Sequence, residues 1–240
     1  MVGLLPVFAG VEIDSDLWER LPNFRKRIGW FIEHTPRLGG YVKHFLKDDR
    51  PVFVGLLGLD RLKRVLARML DEAEFLSPYG LRSLSRYHRD HPLAFSLDGV
   101  DVRLDYEPAE STTPLFGGNS NWRGPVWFPL NFLALESLRH LHRCLGGEFT
   151  VELPTGSGVE ANLDEAADEI ARRLVRLFLP DAEGRRPVHG QSALFRKPEW
   201  GERPLFYEYY NAETGQGLGA SHQTGWSALI ATIIARRGRR

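Results

Sequence analysis

FYEYYNAETGQGLGASHQTGW, residues 206–226, sets a carboxylate among aromatic rings and then places four glycines before an apolar segment. Glu208 lies between Tyr207 and Tyr209, so rings bracket its carboxylate whichever way the backbone runs and can limit its water. A carboxylate is held ready for acid–base work in this way. Gly215, Gly217 and Gly219 let the chain turn tightly beside it. A second stretch, GGNSNWRGPVW at 117–127, has the same character, with flexible glycines, amide side chains, an arginine and two tryptophans whose faces can stack on an apolar ring face. Two such stretches, each running into a helical pattern, predict one pocket built on loops.

Working outward, apolar residues recur three or four apart in several segments. Leu17, Leu21, Phe24, Ile28 and Phe31 predict an amphipathic helix over 14–32, capped by Asp14 or Ser15 and bent or interrupted at Pro22. A polar connection through Pro36, Gly39 and Gly40 follows. Leu62, Val65, Leu66, Met69 and Leu70 predict a helix over 59–75 capped by Asp60, with Arg61, Lys63, Arg64 and Arg68 on a solvated face. Around 94–106 the period changes to two on either side of Asp98-Gly99, which predicts a β-hairpin. Helices are again expected over 125–145, with Pro125 in the first turn, over 163–179, capped by Asn162, and over 225–235. The pattern establishes a mainly helical chain with functional loops.

Composition narrows the function classes. The 240 residues carry 31 basic and 31 acidic side chains, which argues against general attraction to nucleic acid or an anionic membrane. RRGRR at 236–240 reads as a solvated tail. Cys144 is the single cysteine, so no disulfide framework exists, and its place on an apolar stripe reads as core filler. No run approaches the ~18 apolar residues of a membrane span. MVGLLPVFAG starts apolar without a cap or polar lead, as if inside a folded unit, so the missing leader supports a cytoplasmic location only weakly.

NWRGPVW at 121–127, FYEYY at 206–210 and GLGASHQTGW at 217–226 resemble the C-terminal catalytic region of glycoside hydrolase family 63, specifically its bacterial α-glucosidase-like branch. MVGLLP at 1–6, SPYGLRSLSRYH at 77–88 and DYEPAES at 105–111 are similar to the same branch. The resemblance implies a single partial domain over 1–240, roughly half of an (α/α)6 barrel. It implies inverting hydrolysis of small α-glycosides without a cofactor, with Glu208 as general base and Trp122 and Arg123 contacting sugar. Asn121, Trp127, Tyr207 and His222 are further candidates for substrate contact. The matching general acid lies upstream of this segment, so a complete site requires the upstream half and the isolated chain is expected to be inactive. Where the resemblance leads one to expect an HGD-like turn, the chain has Asn211, Ala212 and Glu213.

Each residue also has a plainer role. Glu208 could be a structural acceptor, Trp127 a core residue, Asn119 and Asn121 loop braces, and His222 and Gln223 helix-entry residues satisfying backbone groups. Asp105, Glu107 and Glu110 are the best carboxylates inside the chain for a second catalytic group, and surface charges otherwise. A carbohydrate-binding or scaffold fragment without catalysis is the alternative from another class. GQGLGA at 215–220 lacks the preceding strand of a dinucleotide fingerprint, and TGSG at 155–158 lacks the strand of a nucleophile elbow. His88, Asp90 and His91 offer no metal spacing, and His140 and His142 face different ways on a helix.

Overall fold

The computed structural model describes residues 1–34, 43–45, 50–113 and 121–237. In chain order the elements are α1 (Leu5–Phe8), β1 (Gly10–Ile13), α2 (Ser15–Glu19), α3 (Pro22–His34), β2 (Lys43–Phe45), β3 (Val52–Gly55) and α4 (Leu59–Met69). Then come β4 (Leu76–Ser77), β5 (Gly80–Leu81), β6 (Leu93–Leu97), β7 (Val100–Leu104), α5 (Phe128–Leu145), β8 (Thr150–Glu152), β9 (Glu160–Asn162) and α6 (Leu163–Arg176). The chain ends with α7 (Pro198–Gly201), β10 (Tyr209–Tyr210), β11 (Gly217–Leu218), α8 (Thr224–Ser227) and α9 (Leu229–Arg237). The fold is mainly helical with small antiparallel ladders, and no sheet closes among the described residues.

The chain packs into two compact units, one of Val2–Leu70 with Leu133–Ala167 and one of Met1, Asp71–Phe132 and Asp168–Arg240. One boundary follows α4 at Leu70, and two fall inside α5 and α6.

In the first unit, β1, β3 and β2 form an antiparallel sheet with Val11 opposite Val54 and Ile13 opposite Val52. Ile13, Trp18 and Val52 form a core cluster against which Ile28 and Val54 pack. The helix expected over 14–32 is two helices, because Pro22 opens α3 rather than bending a continuous one. Its fixed φ suits a first turn and its missing N–H costs nothing there. Asp14 does cap α2, accepting the Asp16 N–H at 2.9 Å. α4 buries Leu62, Leu66 and Met69, each worth about 1.5–3 kcal/mol as an upper estimate. It stops at Met69, short of the expected 75, and Gly58 rather than Asp60 occupies its cap position. Thr155 ties off its end: Oγ1 donates to the Ala67 carbonyl at 2.7 Å and the N–H to the Leu70 carbonyl at 3.1 Å. Glu12 accepts from Arg143 Nε at 2.9 Å and lies 2.6 Å from His140 Nδ1, so His140 belongs to a surface ion-pair cluster. TGSG is the turn between β8 and β9, where Glu152 accepts the Gly156 N–H at 2.8 Å.

In the second unit, β6 and β7 form the expected hairpin, with Leu97 opposite Val100 and both Asp98 (φ 51) and Gly99 (φ 79) left-handed. At the start of α6, within the first unit, Asn162 caps the helix as expected, its Oδ1 accepting from Asp164 and Glu165 at 2.9 and 3.0 Å. Glu165 reciprocates on the Asn162 N–H at 2.7 Å. α6 ends at Arg176, three residues short of the expected 179, and the expected 225–235 helix is α8 followed by α9. α5 begins at Phe128, not Pro125, because Val126 is drawn into backbone pairing with Arg82 and Tyr210. Phe128, Phe178 and Tyr210 meet edge to face at 6.0–6.4 Å beneath that pairing. The Gly39–Gly40 connection, Asn119 and residues 238–240 lie outside the described residues.

Candidate functional site

Tyr210 and Val126 exchange backbone hydrogen bonds at 2.8 and 3.0 Å, which brings the two motif stretches side by side as the sequence predicts. On the other edge of 206–210, the Glu208 N–H donates to the Ala220 carbonyl at 2.9 Å and the Gln223 N–H to the Phe206 carbonyl at 2.8 Å. The GQGLGA segment thus contributes β11 to a hairpin with β10, which is not the turn of a dinucleotide fold. Residues 206–210 are the middle of a short three-segment ladder, flanked by Val126 from far upstream in the chain and by 217–223 from the same hairpin.

Aromatic rings form one wall. Trp122 stacks on Trp127 with centroids 4.0 Å apart and planes 4° from parallel, and Trp127 stacks on Tyr209 at 4.9 Å. Trp226 meets Trp127 edge-on at 6.3 Å. Trp127 and Tyr209 are buried, with Leu218 in the same cluster, whereas Trp122 keeps 38% of its surface exposed. Trp127 Nε1 donates to the Asn121 carbonyl and Trp226 Nε1 to the Glu208 carbonyl, each at 2.9 Å, although Trp226 is as exposed as Trp122. Trp127 is therefore a core residue at the helix entrance, and Trp122 and Trp226 are the rings of the group that stay exposed.

Glu208 is half-buried. Its Oε2 lies a long 3.5 Å from the Ala220 N–H, and a Cβ on Gly219 (φ +70) would come within 2.7 Å of the same oxygen. Gly217 is held open for a similar reason, since the Tyr207 ring occupies the space a side chain would need. Burial pushes the Tyr207 hydroxyl above its ordinary pKa. Tyr209 is raised by burial first, then by the Glu110 and Glu208 carboxylates, with an Asn121 backbone hydrogen bond pulling the other way. His222 is exposed; its Nδ1 lies 2.9 Å from Ser221 Oγ, and its backbone runs beside Phe206.

Arg123 and Asn121 sit behind this wall. Arg123 is almost fully buried; it donates to Glu107 Oε2 at 2.7 Å and Ser111 Oγ at 2.6 Å. Both bonds come from Nη2, so the guanidinium meets a protein carboxylate through one nitrogen. Asn121 is fully buried and donates through Nδ2 to the Glu107 and Ala109 carbonyls at 2.8 and 2.6 Å, while Oδ1 accepts the Arg123 N–H at 2.8 Å. Gly124 completes the joint, since a Cβ there would meet the Glu107 carbonyl at 2.5 Å.

A second polar centre has no signature in the sequence pattern. Tyr106 donates to Glu213 Oε1 at 2.6 Å and accepts from Arg82 Nε at 3.0 Å. Arg82 is buried and also donates to the Leu76 carbonyl at 2.8 Å. Burial works to raise the Glu213 carboxyl, but the Tyr106 hydrogen bond and the Arg82 and Arg86 charges outweigh it and hold the group below its ordinary value. Asn211 shapes the turn, with its Oδ1 accepting from Glu213 and Thr214 at 2.9 and 3.2 Å. The unexpected Asn-Ala-Glu is a structural turn tied to a buried arginine.

Among the described residues, no group of three or more His, Cys, Asp and Glu is placed to hold a metal ion, and no helix is long and apolar enough to cross a membrane.

Residues 50–227, which carry every side chain of this site, match the mannosylglycerate hydrolase MGH1-like glycoside hydrolase domain, and the chain belongs to that family. It is 41% identical over 246 residues to an uncharacterized protein of Saccharomyces cerevisiae, across 99% of this chain and 22% of that protein. It is 28% identical to the mannosyl-oligosaccharide glucosidase of the same yeast, across 73% of this chain and 15% of that enzyme. It is 29% identical to a probable mannosyl-oligosaccharide glucosidase of Schizosaccharomyces pombe, across 77% of this chain and 17% of that protein. The chain spans about a fifth or less of the length of these relatives. The expected kinship with glycoside hydrolases and glucosidases is therefore present at family level.

Proposed function

We propose that this chain is the general-base portion of an inverting α-glycosidase of the family 63 kind, one partial domain of an (α/α)6 barrel acting on glucosides or related small glycosides. Glu208 activates the water, Trp122 supplies the stacking face, and Tyr207 and His222 border the sugar. Trp127, Asn121 and Arg123 support these groups from behind. The observation that supports this reading is the backbone pairing of Val126 with Tyr210, which joins the Trp122 stretch to the Glu208 stretch. Inversion needs a second carboxyl ~6.5–9.5 Å away to protonate the leaving oxygen. In this reading that acid lies upstream of residue 1, which the greater length of the relatives leaves room for.

The test is hydrolysis of a panel of small α-glycosides by the 240-residue chain and by the protein extended through its upstream coding segment, each with Glu208→Gln. Activity confined to the extended protein and reduced ~10²–10⁴-fold by Glu208→Gln supports the proposal. Full activity from the short chain would move the acid into these residues. Sugar binding without turnover in either form would favour a non-catalytic carbohydrate-binding role.

A further inference from the structure

The segment 107–112 is fastened to the site far more tightly than an external loop requires. Glu107 turns inward, accepting from Arg123 at 2.7 Å, from the Thr112 N–H at 3.0 Å and from Thr112 Oγ1 at 2.6 Å, which closes the segment into a loop. Its backbone N–H donates to the Arg123 carbonyl at 2.7 Å, and the Pro108 carbonyl accepts from the Ala212 N–H at 3.1 Å. Ala109 packs against the Trp127, Tyr209 and Leu218 cluster, and its carbonyl accepts from Asn121 Nδ2 at 2.6 Å. Ser111 Oγ is held by Arg123 at 2.6 Å. Glu110 stands between two pinned neighbours and is itself exposed.

We infer that Glu110 is a substrate-binding carboxylate of the Glu208 site, accepting hydrogen bonds from hydroxyls of the sugar ring that lies against Trp122. The inference rests on the carbohydrate reading above and deepens it. The two acidic residues of the loop are treated oppositely: Glu107 is turned in to the buried arginine, and Glu110 is left outside on a braced backbone. A carboxylate is an acceptor with two oxygens, suited to a pair of neighbouring hydroxyls, and such charge-assisted bonds are the stronger kind. A tip already fixed on both sides loses little freedom when a ligand arrives. Ala109, the residue before Glu110, packs on the cluster that contains Tyr209, and the Glu110 and Glu208 charges both act to raise the Tyr209 hydroxyl.

The experiment is a tryptophan-fluorescence titration of the protein, in the form extended through its upstream coding segment, with methyl α-D-glucopyranoside, methyl α-D-mannopyranoside and methyl α-D-galactopyranoside. These neutral probes report hydroxyl recognition without charge attraction. Glu110→Gln is expected to weaken the preferred sugar about tenfold or more and to flatten the preference among the three epimers, with an unchanged melting temperature. Glu110→Asp guards against misfolding of the first variant and is expected to retain the fold with intermediate affinity. Affinity and epimer preference within twofold of wild type in both variants would overturn the inference and leave the carbohydrate reading standing, provided that Trp122→Ala still weakens binding. A parallel loss for all three sugars, preference intact, would make Glu110 structural and would also overturn it. Wild-type protein that takes none of the three would remove the carbohydrate reading and this inference together.

Discussion

Trp122 lies flat on Trp127, centroids 4.0 Å apart and planes 4° from parallel, so one indole shields the other from water. Two tryptophans of one heptapeptide therefore answer substitution in opposite ways. Trp122→Ala is expected to change stability by no more than about 1 kcal/mol while weakening sugar binding about tenfold. Trp127→Ala empties a core position and is expected to cost about 3–5 kcal/mol. Urea unfolding and a sugar titration of both variants measure this, and a Trp122→Ala protein that unfolds as readily as Trp127→Ala would end the platform assignment.

Gly219 and Gly225 lie six positions apart and differ in what surrounds them. A methyl group at 219 would meet Glu208 Oε2 at 2.7 Å, on a backbone with φ of +70°, whereas a Cβ at 225 finds nothing within 4 Å, inside α8. Gly219→Ala is expected to lose about 1 kcal/mol or more and to displace the carboxylate, lowering kcat in the extended enzyme. Gly225→Ala is expected to be neutral or to add up to about 1 kcal/mol. Matching behaviour of the two variants in thermal melts and turnover would refute the steric argument.

Arg123 and Glu107 form a pair in which the arginine side chain is 2% and the glutamate 17% exposed. Removing one partner leaves the other charge buried, so Arg123→Met and Glu107→Gln are each expected to destabilise by about 3–5 kcal/mol. The double variant should lose distinctly less than the sum, because no uncompensated charge remains. Denaturant melts over the four proteins measure the coupling; strict additivity would show that the two side chains do not act as a unit.

Glu213 has a folded-state carboxyl held below its ordinary value of 4.5, so its contribution to stability is present above that value and lost as pH falls through the lower folded one. The difference in unfolding free energy between wild type and Glu213→Gln is expected to be constant above about pH 5 and to shrink below about 4.5. A difference that stays flat from pH 7 to 3 would show that the Arg82 and Tyr106 partners do not favour the ionised form.

The sequence by itself marked several local elements and the kinship with glycoside hydrolases. Asp98-Gly99 demands left-handed backbone at two adjacent positions, Asn162 marks the cap of the helix that follows it, and 3.6-residue spacing marks α4 and α6; each signal acts over a few residues and needs no partner elsewhere. The grouping of aromatic rings, a carboxylate and glycines in the Trp122 and Glu208 stretches was likewise visible, because it is a local pattern. Only the tertiary structure decided which tryptophan is wall and which is core, that Arg123 faces Glu107, and that Glu213 closes on Arg82 and Tyr106. It also took Pro125 to Trp127 out of the expected helix, since Val126 pairs with Arg82 and Tyr210. Those outcomes depend on burial and on backbone hydrogen bonds between residues far apart in the chain, where a group's environment is set by whatever the fold lays against it.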